Sequence, residues 1–294
     1  MNSLVSSIRF FIFIFAELTV LFIGISTLIG LVFEYVPDET IRSRLKHKGF
    51  AGNFLGAALG AVTPFCSCST IPMTVGFLRA GVPFGATISF LLASPLLNPV
   101  ILAMFWALLG WEASMTYFLC TFAASMISGA VLEKLGFAED VRKVRITGGR
   151  GERKQLPSFR GKLLRAFLGA WSDFKGVLPC LIIGVLIGAV VYGYIPADFV
   201  TRVAGPRNPL AVPVAAVIGI PLYVRAETVI PIGVALTQKG MSIGAVIALI
   251  IGGAGMSIPE MSMLTSIFRI RLVGTFIAVV FSTAVLAGFI FNFI

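Results

Sequence analysis

The stretch Thr63-Pro64-Phe65-Cys66-Ser67-Cys68-Ser69-Thr70-Ile71-Pro72 places two prolines, two thiols and four hydroxyls inside an otherwise apolar run. The arms on either side, 52–64 and 70–79, are too short to cross a membrane separately. Twelve helical residues rise only about 18 Å, against a hydrocarbon core of about 30 Å. Broken backbone at membrane depth is tolerated only where protein or a water-lined cavity covers it. The stretch is therefore the first candidate for a substrate site, and the remainder reads as its frame.

That frame is apolar. Hydrophobic residues make up 57% of the 294 and charged residues 12%, and the mean hydropathy is +0.99. Twenty-six phenylalanines and 31 glycines suit membrane helices, where large groups face lipid and small ones allow close helix contact. Segments 8–33, 177–195 and 272–294 are each near or above the length a crossing needs. The fold class is an all-α integral membrane protein. The first segment lacks a clear small-residue cleavage site and reads as a retained helix.

The net charge of +10 does not point to nucleic acid. Nine Lys/Arg lie between Gly136 and Arg165 against three acids, among them Arg142, Lys143 and Arg145. A basic loop beside spans marks a cytoplasmic face and contact with anionic lipid headgroups. It divides the chain into membrane repeat 1 (1–135), a basic cytoplasmic linker (136–165) and membrane repeat 2 (166–294). A cell-membrane, multi-pass location follows, and a homo-oligomer stays open.

The halves match at a constant offset of 159. Tyr35-Val36-Pro37 pairs with Tyr194-Ile195-Pro196, Gly60 with Gly219, Ile71-Pro72 with Ile230-Pro231, and Gly81 with Gly240. Each half reads as a long helix, two short arms around a break, and two further long segments: 8–33, 52–64 with 70–79, 83–110 and 112–134 in the first, and 171–195, 209–221 with 229–238, 242–267 and 270–292 in the second. If the arms form a re-entrant hairpin, each half has three crossings and the second is inverted. If they form one kinked crossing, there are eight spans and parallel repeats. The hairpin reading collects Arg42, Arg44, Lys46, Lys48, Arg79, Arg269 and Arg271 on the side of the basic linker, as the positive-inside bias favours. It also fits the transporter plan of inverted repeats around a midplane site.

Cys66 and Cys68 cannot share a helix face, because two residues turn a helix by about 200°. In an extended segment they point the same way. Pro64 and Pro72 each restrict the preceding residue, so both sulfurs could meet one soft metal or metalloid transiently. Ser67, Ser69 and Thr70 could cap an arm starting near Ile71 or line a polar path. In the second half Arg225 aligns with Cys66 and Glu227 with Cys68. An Arg225–Glu227 pair, or Arg225 with Glu260, offers an anion contact, and Glu227 or Glu260 a protonatable carboxylate. A second broken region, Ala93-Ser94-Pro95-Leu96-Leu97-Asn98-Pro99, recurs near Ser257-Ile258-Pro259-Glu260. It offers Ser94, Asn98 and Ser257 to the same cavity. Glu17, Asp173 and Lys175 fall in or near spans, where terminal placement favours snorkelling or local pairing over transport chemistry. Cys120 and Cys180 read as small buried hydrophobes.

The motif around Cys66 and Cys68, with Ile71-Pro72, Gly76, Gly81 and residues 93–99, resembles the predicted-permease family that includes bacterial organoarsenical efflux permeases. The resemblance extends over nearly the whole chain. It implies efflux of a small thiophilic solute, such as a trivalent methyl- or aromatic arsenical, with Cys66 and Cys68 touching it. The family is usually drawn with eight spans. No cofactor is implied, and the absence of a nucleotide-binding glycine-rich loop argues against direct use of ATP. Two other classes fit the same residues. One is a membrane thiol-disulfide oxidoreductase cycling Cys66 and Cys68; the other is a structural membrane protein without transport.

Overall fold

The structure is a computed structural model that describes residues 12, 13, 15, 16, 19, 20, 23, 24, 26–28, 30, 31, 49–63, 67–141, 159–194, 210–222, 230, 233, 237 and 240–293. Within the first of these groups the described positions between 12 and 31 are helical. Among the described residues ten α-helices of defined bounds follow: α1 (Phe50–Val62), α2 (Ser67–Arg79), α3 (Phe84–Leu96), α4 (Pro99–Leu109) and α5 (Trp111–Lys134), the last trailed by a 3-10 turn at Phe137–Asp140, then α6 (Phe159–Tyr194), α7 (Ala211–Leu222), α8 (Ile243–Gly255), α9 (Ile258–Ile267) and α10 (Ile270–Phe293). No strand occurs among the described residues; one isolated bridge pairs Val141 with Phe268. The all-helical membrane class holds. By length and composition α5 and α10 can each cross a membrane, and α3 with α4, bent by 43° at their break, pass the same test only as a pair, as one broken span or a re-entrant loop.

Two helices form the centre. Every residue of α3 is buried, as are all of α8 but Ala254 and the exposed first residue, Ile243. A helix apolar all round has no solvent face to offer and must be enclosed. Phe90, Leu91 and Ile88 of α3, and Ile247 and Ile250 of α8, are at most 1% exposed. Large apolar side chains on α5 and α10, including Leu119, Ile127 and Leu286, instead face outward. That pattern suits helices bordered by lipid.

The close packing is set by small residues. A Cβ on Gly56 of α1 would strike the Ala86 backbone of α3, and one on Gly60 would lie 2.9 Å from Ala93 Cβ and 3.0 Å from the Phe90 carbonyl. α1 therefore runs parallel to α3, residue 56 beside 86 and residue 60 beside 93. α2 runs the other way, since Thr70 Oγ1 donates to Ser94 Oγ at 3.0 Å and Phe77 meets Phe90 edge-on. α1 thus starts, and α2 ends, beside the first turn of α3. The two short helices form a hairpin. In the second half Gly219 of α7 is pressed on Leu249, Gly252 and Gly253 of α8. The turns before α3 and α8 each use a glycine at positive φ, Gly81 at 78° and Gly240 at 99°, a backbone region that costs a side chain energy.

Helix bounds recur along the chain. α3 and α8 begin at 84 and 243 and end at 96 and 255; α5 and α10 begin at 111 and 270 and end at 134 and 293. The turns between neighbouring helices, however, lie at different levels. Gly110 joins α4 to α5 at the start of α5. The α9–α10 turn instead docks just beyond the end of α5: Arg269 N donates to Asp140 O at 2.9 Å, and Arg269 Nη1 lies 3.6 Å from Asp140 Oδ1. Arg271 sits over the Phe137 ring at 5.2 Å. A 24-residue helix separates those levels by about 36 Å.

α6 begins at Phe159, inside the basic segment and twelve residues before the apolar run expected from 171. Lys175 Nζ lies 5.7 Å from the Trp171 ring centre, a local pairing of the kind expected there.

Candidate substrate site at the helix breaks

α1 stops at Val62 because Thr63 precedes a proline and adopts extended backbone, φ −90° and ψ 121°. Its hydroxyl turns back to the Leu59 carbonyl at 2.8 Å. α2 starts four residues later, at Ser67. Ser67, Cys68 and Ser69 therefore occupy its first turn, where backbone N–H groups lack intrahelical partners and positive charge accumulates. This corrects part of the sequence expectation. The chain is helical from Ser67, so extended geometry does not run through Cys68, and Ser69 and Thr70 sit inside α2 rather than capping it. The physical reason is that Pro72, sixth in the helix, removes only the bond to the Cys68 carbonyl, near the helix mouth. Cys66, Arg225 and Glu227 lie outside the described residues.

Thr70 and Ser94 are both 0% exposed, and their mutual hydrogen bond ties the start of α2 to the end of α3. α3 ends because Pro95 removes a donor and Leu97 leaves helical geometry. The Leu96 carbonyl is then taken by the Tyr117 hydroxyl of α5 at 2.9 Å. Asn98 is 8% exposed and its Oδ1 accepts from Val100 N at 3.0 Å. That oxygen caps α4, whose first residue is Pro99.

The second break has the same form. α8 ends at Gly255, Met256 and Ser257 follow, and α9 carries Pro259 and Glu260 in its first turn. Glu260 is 1% exposed, at a helix end that favours negative charge. α9 packs on α2. The two breaks also meet: Leu96 Cδ2 lies 3.5 Å from the position a Gly255 Cβ would take. Asn98 and Glu260 thus belong to two breaks that touch, with the helix bearing Cys68 alongside.

Tyr117 went unnoticed in the sequence. A tyrosine in an apolar helix carries no mark of the carbonyl it will serve. Asn53 and Ser89, both buried beside Gly85, were also missed, although an asparagine in a Gly/Ala-rich arm is a usable signal. Cys120 packs half-buried against the core, as expected of a small hydrophobe.

Comparison with known proteins agrees on the class. The chain is 27% identical to the UPF0718 protein YcgR of Bacillus subtilis, covering 83% of this chain and 82% of that one. It is 22% identical to a UPF0718 protein of Methanocaldococcus jannaschii over 80% of each, and 24% identical to YraQ of Escherichia coli over 83% of this chain and 69% of YraQ. No solved structure matches. The family model described as predicted permease matches residues 3–293, and the chain belongs to that ArsP_1 family of membrane permeases.

Proposed function

We propose that this permease is a secondary transporter that exports a small thiophilic solute, of the class of trivalent organoarsenicals, through a site between the two helix breaks. The observation that carries the reading is the meeting of those breaks. Leu96 of one touches Gly255 of the other, and α2, with Cys68 in its first turn, is tied to the first break through Thr70 and Ser94. Thiolates select soft ligands, and two of them release cargo more readily than four. Cys66 and Cys68 supply the sulfur, Ser67, Ser69 and Asn98 polar lining, Arg225 and Glu227 a charged counterpart, and Glu260 with Glu227 protonatable groups.

The halves act as inverted repeats, each three crossings and a hairpin, divided at 1–135, 136–165 and 166–294. Three observations support this. Helix bounds recur 159 residues apart, α1 and α2 form a hairpin, and the α9–α10 turn lies at the opposite level from the α4–α5 turn. The basic linker faces the cytoplasm, against anionic headgroups.

The test is uptake of phenylarsine oxide by everted vesicles. A Cys66→Ser/Cys68→Ser double variant falls to the level of empty vesicles at unchanged protein abundance, while Cys120→Ser transports as wild type. Full flux in the double variant would defeat direct sulfur contact.

A further inference from the structure

The crossing of α3 and α5 holds a polar cluster that this transport reading does not use. Asn53 of α1 is 1% exposed and Ser89 of α3 is 0% exposed, and their side-chain polar atoms have no hydrogen-bond partner among the described residues. Buried amides and hydroxyls are normally bonded, so two orphans in one place call for a physical account. They flank the point where Gly85 meets Gly129. A Cβ on Gly85 would be ringed by oxygen, with Asn53 Oδ1 at 2.7 Å, the Gly129 carbonyl at 2.9 Å and Glu133 Oε2 nearer still. The corresponding position on Gly129 faces Ser89 Oγ and the Gly85 carbonyl. Oxygens from three helices, one of them on a carboxylate, converge on a single crossing.

The fold does not require these groups. Gly244 and Gly288 make the matching crossing of α8 and α10, each facing the other's carbonyl. There Val212 and Ala248 stand at the positions corresponding to Asn53 and Ser89 and pack apolar carbon against Gly288. Asn292 stands where Glu133 would, and its Oδ1 accepts from Gly244 N at 2.9 Å. One crossing is closed and satisfied. The other carries a carboxylate and two unpartnered polar side chains.

We propose that Asn53, Ser89 and Glu133, with the carbonyls of Gly85 and Gly129, form a sodium-ion site. An all-oxygen donor set suits hard cations and not the thiophilic species that sulfur would take. Glu133 supplies one negative charge and the amide, hydroxyl and carbonyl oxygens none. That balances a monovalent ion, whereas calcium sites accumulate carboxylates. A cation gives Asn53 Oδ1 and Glu133 Oε2 a common partner, which two acceptors cannot give each other. The site stands whether or not the thiols carry flux.

The test uses the purified full-length protein in detergent, with radioactive sodium at fixed pH and choline chloride holding ionic strength constant. Wild type binds sodium saturably, and its thermal transition rises with sodium. Glu133→Gln weakens binding by at least about tenfold, since losing even an outer-shell partner of a bound metal costs that much. A triple variant, Asn53→Val, Ser89→Ala and Glu133→Asn, copies the second crossing and so keeps its packing. It retains a sharp thermal transition and loses both the binding and the sodium-dependent shift. Sodium binding absent from wild type, or equal in wild type and both variants, overturns the site. So does displacement of sodium by micromolar calcium, or a transition that responds to pH alone, which would assign the cluster to a proton with the Asn53 amide turned toward the carboxylate. Sodium binding with no arsenical flux would fail the transport reading alone, and flux without sodium binding would fail this site alone.

Discussion

The Tyr117 hydroxyl serves a carbonyl 21 residues earlier in the chain, at the point where α3 gives up its own hydrogen bonding. Phe105 stacks on the same ring at 4.5 Å, so Tyr117→Phe keeps the packing and removes only the donor. Leaving the Leu96 carbonyl buried and unpaired should cost about 1–3 kcal/mol, read as a lower thermal transition in detergent. Arg269→Ala is the contrasting case. Its side chain is 66% exposed and its Nη1 lies 3.6 Å from Asp140 Oδ1, so losing the ion pair should cost under about 1 kcal/mol by the same measurement. These residues also mark what a linear reading can reach. Asn98 before Pro99 is a local capping signal, visible without a fold. The Tyr117 bond depends on α5 folding back along α3 and α4, which no window of sequence contains. The first-turn placement of Cys68 was missed for a related reason: residues opening a helix need no apolar periodicity, so Ser67, Cys68 and Ser69 look like loop.

Among the elements, α1 and α7 approach the central helices through glycine. Gly56→Ala and Gly219→Ala each push a methyl into backbone atoms of the facing helix, and overpacking of this kind should cost about 1–3 kcal/mol. Gly274→Ala in α10, whose Cβ would meet nothing within 4 Å, should leave the transition unchanged or slightly raised. A thermal-shift series over the three variants checks the contrast, and equal losses at all three would remove the packing argument. Apolar run lengths located α5 to within a residue, 112–134 expected and Trp111–Lys134 found. They placed the start of α6 at 171 instead of Phe159. Hydropathy finds the part of a helix suited to lipid, and Arg160, Lys162 and Arg165 extend the same helix beyond it.

For the whole molecule, the arrangement of the halves decides which turns share a side of the membrane. With inverted repeats, Gly110 and Gly240 face the exterior while Gly81 and Arg269 face the linker side. Single cysteines at these positions, in a variant with Cys66, Cys68, Cys120 and Cys180 replaced by serine, should react with an impermeant maleimide on intact cells at 110 and 240 only. Labelling of 110 and 269 together would restore the parallel, eight-span arrangement. The 159-residue offset was legible because glycine and proline constrain backbone wherever they fall, and the bounds of α3 and α8, and of α5 and α10, recur at the same spacing. Where the two halves would touch was not legible, since nothing in the chain announces that Phe268 will pair with Val141.

That pairing constrains motion. Asp140 and Val141, six and seven residues past the end of α5, are stitched, main chain to main chain, to the turn that opens α10. While those stitches hold, the halves cannot part along that rim. Any rocking between them must take the rim as its fulcrum and spend its amplitude at the far edge.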